Sequence, residues 1–254
     1  MRRCPWRPYG IVLALALAAS GVAACGSSNK TTTAGSPATT AATTTASTSS
    51  AASAPGTIPT GSVAVAAGRP ITRTAFDHWL SIAARAQASA KTPAIDPSDP
   101  PAFTDCIAQI RKLDQSLAKD STKQLKADCS ELFAALSSQV MSFLITSDWF
   151  EADAARRKLL PSSAQLDAAY NTQKRQAFPT ESGFEAFLAK TGQTAADVRF
   201  RVLVNEAGQR LLAREKGTQS ARNTALTNEV KHLYLAGTQC EPLVVMADCG
   251  NDRG

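Results

Sequence analysis

The chain has 254 residues, with 27 Lys and Arg against 21 Asp and Glu, and a formal charge of +6. Arg2, Arg3 and Arg7 lie in the first 24 residues with no acid beside them, so the rest of the chain carries +3, too little and too scattered for a nucleic-acid-binding face. With two histidines, His78 and His232, and six cysteines whose spacings match no zinc pattern, a metal centre is not expected.

The basic head leads into an apolar run, Ile11 to Ala19, and then into Val22-Ala23-Ala24-Cys25-Gly26. Ile11 to Ala24 is 14 residues, short of the roughly 20 that cross a bilayer core. A basic head, a short apolar run and a small-residue exit fit a signal sequence. The exit resembles the lipobox of bacterial lipoproteins. Residues 1–24 are thus expected to be removed as a signal peptide. Cys25 would be lipidated and would anchor the mature protein outside the cell membrane. Residues 25–61 are almost wholly Ser, Thr, Ala, Gly and Pro, with Lys30 their sole charge. Such a stretch buries too little apolar surface to offset its ordering entropy and reads as a disordered tether. As a random coil it would span roughly 30–36 Å.

Val63 to Ala67 reads as a short strand, turned by Gly68-Arg69-Pro70. Ile71-Thr72 opens a helix with Thr72 as N-cap, Ile71 and Phe76 at staple spacing, and an apolar stripe of Phe76, Trp79, Leu80 and Ala83. Lys91 to Pro101 holds four prolines and is a loop. A second helix carries Phe103, Cys106, Ile107, Ile110 and Leu113. The longest helical signal follows Asp120-Ser121-Thr122 and runs through Trp149 to about Leu159. Ser162 and Gln165 form a capping box for a helix to about Ala177. Phe178-Pro179-Thr180 breaks it. A short helix with Phe184, Phe187 and Leu188 ends at Gly192. Thr194 to Asp197 caps a long helix whose stripe is Phe200, Leu203, Val204, Ala207 and Leu211. Gly217 to Thr224 reads as polar loop, Thr227 to Ala236 as a last helix, and Leu243 to Met246 as a closing strand. The two end strands, around Val63 and Val244, are expected to pair, since a lone strand leaves backbone groups unsatisfied.

Cys4 leaves with the signal and Cys25 takes the lipid. The remaining four, Cys106, Cys129, Cys240 and Cys249, suggest two disulfides in an oxidising compartment, with three connectivities open. The sequence-local pairs, Cys106–Cys129 and Cys240–Cys249, are the ones expected. The first would staple the hairpin between the second and third helices.

The order of these pieces resembles the N-terminal chaperone domain of the SurA and PrsA families, extracytoplasmic foldases. The resemblance rests on Val63 through Thr72, on Phe76, and on the block Leu144-Ile145, Trp149, Ala154, Ser162-Ser163 and Leu166. Gln173 through Pro179, then Phe184, Phe187-Leu188 and Gly192, complete it. It covers roughly residues 62–217, with residues 218–254 as a closing segment holding one cysteine pair. The resemblance implies a mainly α, multi-helix fold with a short two-stranded sheet joining the two ends. It also implies an ATP-independent holdase or foldase accessory, without cofactor, whose partners are unfolded or partly folded exported polypeptides. The parvulin-type prolyl isomerase domain of many relatives is expected to be lacking. The segment after Gly217 is too short for it, and His232 is the sole histidine there. Trp149, Phe184, Phe187 and Phe200 read first as core, with a second role in lining a client groove. Two other readings are a structural or adaptor lipoprotein holding one folded partner, and residual isomerase activity.

A penicillin-binding enzyme is not expected, although two of its signatures have partial matches. Ser116-Leu117-Ala118-Lys119 fits S-x-x-K and Lys190-Thr191-Gly192 fits K-T-G. The middle S-D-N is missing, Ser147-Asp148-Trp149 being the nearest match, and K-T-G stands at a helix end rather than on a strand. His78 reads as a surface or boundary residue without a carboxylate cluster. Arg156-Arg157-Lys158 reads as a cationic helix end.

Overall fold

The computed structural model describes residues 57–89, 93–113 and 119–253. The signal sequence, Cys25, most of the tether and Ser116 lie outside these residues. Strand β1 (Ser62–Ala66) is buried at every position. It is the centre of an antiparallel sheet, between β2 (Arg69–Thr72) on one side and β3 (Gln239–Cys240) on the other. Ala67 and Gly68, at φ 49° and 77°, make the tight turn from β1 to β2, the positive-φ pair that suits a two-residue hairpin.

Two strand expectations are corrected here. Arg69 and Pro70 do not turn the chain but belong to β2, opposite Ala66 and Val65. An edge strand leaves one side of its backbone unpaired, so it can accommodate the proline. The two end segments do join in one sheet, as expected, but Val244 itself is not part of it. β1 pairs instead with β3, Ala64 opposite Cys240 and Val65 opposite Gln239. Pro242 then opens a 3-10 turn, Pro242–Val244. It has no N–H for a ladder, and the Cys240–Cys249 disulfide folds the segment back on itself. Val244 is buried all the same.

Among the described residues the rest of the fold is seven α-helices, so it is mainly α. Helix α1 (Arg73–Ala86) is capped by Thr72, whose hydroxyl accepts from the Ala75 N–H at 3.1 Å, with Ile71 and Phe76 buried on either side of the cap. Helix α2 (Thr104–Leu113) precedes α3 (Thr122–Arg156). Cys106 and Cys129, both fully buried, bridge α2 to α3 with their Cα atoms 6.2 Å apart, as expected from the sequence-local pairing.

Helix α3 has 35 residues, which makes it about 52 Å long. By length and composition it could cross a membrane. In the fold its buried face, including Leu125, Phe133, Leu136, Met141, Ile145 and Trp149, packs against α1, α2, the sheet and two later helices. It ends at Arg156, short of Leu159. Lys158, at φ 57°, takes the left-handed position, with the Leu159 N–H bonded to the Ala154 carbonyl at 2.7 Å and the Lys158 N–H to that of Ala155 at 3.0 Å. This is a Schellman stop built on a lysine rather than a glycine. The fully buried Asp153 accepts from Arg156 and lies 2.8 Å from the Arg157 Nε.

Helix α4 (Ser163–Ala177) has the expected capping box, Ser162 with Gln165. Helix α5 (Glu181–Thr191) stops at Gly192, which is left-handed at φ 70°. Helix α6 (Ala195–Leu212) carries a second capping box, Thr194 with Asp197. Helix α7 (Gln219–Tyr234) begins where a polar loop was expected, because Thr218 caps it. Its first turn is too polar to show a stripe, and only Leu226 and Val230 along its length are buried. Arg157 reaches Glu229 of α7, so the cationic end of α3 also ties two helices together. The core sits where β1, α1, α2, α6 and α7 cover α3. Helices α4 and α5 bury one residue each, Leu166 and Phe184, and are the loosely held part of the described fold.

Candidate functional site

A cleft of about 960 Å³ lies between the second half of α1, the segment around Asp96, Gln109 of α2 and the end of α5. Ile82, Ala84, Ala86, Ala88 and Ala94 supply its apolar lining. Ser81, Arg85, Asp96, Gln109, Lys190 and Gln193 supply polar groups of both signs. The alanines matter physically. Methyl groups leave the width of the cleft to the backbones and give no deep pocket for one particular side chain.

Its walls are fixed by a few specific contacts. The Gln109 side chain accepts from the Asp96 N–H at 3.0 Å and donates to the Asp96 carbonyl at 3.1 Å, so α2 holds the irregular segment in an amide-to-backbone pair. Burial pushes the Asp96 carboxyl above its ordinary value, against the lowering effects of the Ser81 hydroxyl and the Arg85 charge. At the far wall, a Cβ on Gly192 would stand 2.9 Å from the Arg85 guanidinium. Glycine both allows the left-handed turn and lets Arg85 lie across the end of α5. Thr191 donates its hydroxyl to the Phe187 carbonyl at 2.8 Å. Lys190-Thr191-Gly192 is therefore a helix terminus bordering the cleft, as expected, rather than a strand edge.

The four aromatics singled out from the sequence are not brought together, and none lines this cleft. Trp149 is 2% exposed and donates its indole N–H to Thr238 Oγ1 at 3.0 Å, inside the core. Phe184 is buried beneath α4 and α5 in a satellite cluster with Phe187, Phe178 and Tyr170, and Lys174 sits 4.5 Å over its ring. Phe200 is half-buried with Trp79 and Phe143, its ring 6.1 Å and 5.9 Å from theirs, where α1, α3 and α6 meet.

His78 is not without a carboxylate. Its Nε2 is 2.8 Å from Asp197 Oδ2 on α6. Burial raises the Asp197 carboxyl, but hydrogen bonds from the Thr194 backbone, from His78 and from the Thr194 hydroxyl outweigh it and hold that carboxyl below its ordinary value. The same aspartate thus closes the α6 capping box and ties α6 to α1.

Sequence reasoning missed the cleft. The signal that could have located it is the run Ala83-Ala84-Arg85-Ala86-Gln87-Ala88, in which α1 trades its large apolar stripe for methyl groups before it ends. No group of three or more His, Cys, Asp or Glu able to hold a metal occurs among the described residues. No family model matches the chain, and neither a curated protein nor a solved structure matches it.

Proposed function

We propose that this chain is a lipid-anchored, ATP-independent chaperone that holds segments of unfolded exported polypeptides in the cleft beside α1. The observation that carries the reading is the lining of that cleft: an alanine-rich wall without a deep specific pocket, bordered by donors, acceptors and charges of both signs. A wall of this kind suits weak, broad binding, because varied side chains fit against methyl groups while backbone amides meet the polar rim. Two further observations support it. Helices α4 and α5 are thinly packed, so the far wall can adjust to different clients. The lipobox-like residues Ala23-Ala24-Cys25 and the Ser/Thr-rich tether would hold such a surface close to where chains emerge from the membrane.

The test is aggregation of a chemically unfolded reporter in the presence of the full-length protein anchored in vesicles. Suppression that is lost when Ala88→Trp fills the cleft supports the reading. No suppression, together with capture of one stoichiometric folded partner, would replace it with the adaptor reading. Peptide isomerisation above background would replace it with an isomerase-related one. Cys25→Ala is expected to shift the protein from the membrane fraction to the soluble fraction of the envelope while leaving the circular dichroism of the folded part unchanged.

A further inference from the structure

Away from the cleft, the β-hairpin meets α3 through an unbalanced set of charges. Arg69 Nη1 of β2 lies 2.9 Å from Glu151 Oε2 and 3.4 Å from Asp148 Oδ1. The two carboxylates are one helical turn apart on the same face of α3. Their side chains are 10% and 15% exposed, whereas the guanidinium that serves both is half-exposed. A buried acid and a partly buried one thus share one cation. The second oxygen of Glu151, Oε1, is buried and has no hydrogen-bond partner. Leaving a buried acceptor unpaired carries a desolvation penalty, larger if it is charged. The cluster carries one negative charge in excess, and a single proton removes it.

We propose that Asp148, Glu151 and Arg69 form a proton-operated clasp, in which a proton held on Asp148 removes its repulsion with Glu151 while Arg69 neutralises Glu151, so that the hairpin is clamped to α3 more firmly below neutral pH than above it. With the proton bound, one carboxylate faces one guanidinium. Without it, two carboxylates repel each other across a single cation. The titration of Asp148 agrees. Burial, against the pull of Arg69 and with the push of Glu151, raises its carboxyl to about 7. Arg69 from the hairpin and Glu151 from α3 are the charged groups that act on it.

The sign of the pH effect follows. An unfolded aspartate releases its proton near pH ~3.9. Between that value and about 7 the folded chain holds a proton that the unfolded chain has lost. Stability therefore falls as pH rises through this window and levels off above it. The clasp also closes on the hairpin that follows the Ser/Thr-rich segment, where a pull on an N-terminal anchor would enter the fold.

The experiment is thermal unfolding of the full chain in mild detergent, from about pH 4.5 to 8.5, for the unmodified protein and for Asp148→Asn. Asparagine has the shape of the protonated acid and takes no negative charge at any pH in this range. Asp77 and Asp96, also raised by burial, titrate in both proteins, so the readout is the difference between them. The variant is expected to match the unmodified protein in mild acid and to melt several degrees above it at the alkaline end. Equal pH profiles, or a variant that is the less stable of the two above neutrality, overturn the clasp. Carboxyl 13C resonances give a reading that does not depend on the variant folding: Asp148 should titrate near pH 7, and a midpoint in the ordinary aspartate range overturns the proposal.

Discussion

Replacing Trp149 by alanine is expected to cost about 3–5 kcal/mol of unfolding free energy, the range for removing a large aromatic from a close-packed core. The ring is 2% exposed, and its N–H is bound to Thr238 Oγ1 at 3.0 Å. Thr238 is itself fully buried and passes its own hydroxyl proton to the Tyr234 carbonyl at 2.9 Å. One side chain therefore links the C-terminal part of α3 to the end of α7 and to the approach to β3. Alanine removes the ring and strands the Thr238 oxygen. Trp149→Phe keeps most of the volume and removes the N–H alone, so it should cost nearer ~1 kcal/mol. Urea unfolding of the two variants separates packing from hydrogen bonding. Equal losses would mean that the bond to Thr238 contributes most of the stabilisation.

The second large effect is expected at the α2–α3 bridge. Cys106 and Cys129 are 23 residues apart and close a loop whose entropy, in the chain-entropy account, is worth about 3 kcal/mol. The double change Cys106→Ala with Cys129→Ala should lower stability by about that amount, measured by urea unfolding under non-reducing conditions. Both sulfurs are fully buried, so a reductant should reach them only through opening of the hairpin. A loss well below 1 kcal/mol would mean that the proline-rich loop and packing on α3 already restrict the unfolded chain as much as the bridge does.

Some of this fold could be read directly from residues, and the reasons are local. Ser162 with Gln165, Thr194 with Asp197, Thr72 before α1 and Gly192 after α5 each satisfy a specific orphan backbone group, so type and position suffice to place a helix end. The disulfides followed from sequence-local pairing. The end of α3 was not legible, because its left-handed stop is Lys158, which carries no glycine signal. The start of α7 was hidden because Thr218 caps a turn that buries nothing. The position of the closing strand shows a different limit. Leu243 to Met246 has strand composition, but Pro242 and the nine-residue Cys240–Cys249 bridge override it, and the actual strand is the unremarkable Gln239–Cys240. The cleft was invisible for a further reason. It is made by small residues at the end of a helix and by the backbone of an irregular segment, and neither leaves an apolar stripe. The aromatics that drew attention instead are held by the core, by the satellite cluster or by the α1–α3–α6 contact.

The cleft beside α1 is proposed to receive many different exported chains. The most direct test is a photo-crosslinking residue placed at Ala88, on the cleft, or at Leu233, an exposed position on α7 outside it, in the anchored protein within the native envelope. The expected result is a broad ladder of crosslinked exported polypeptides from position 88, strongest while export is active, and little from position 233. A single discrete partner from position 88, or the same pattern from both positions, would contradict it.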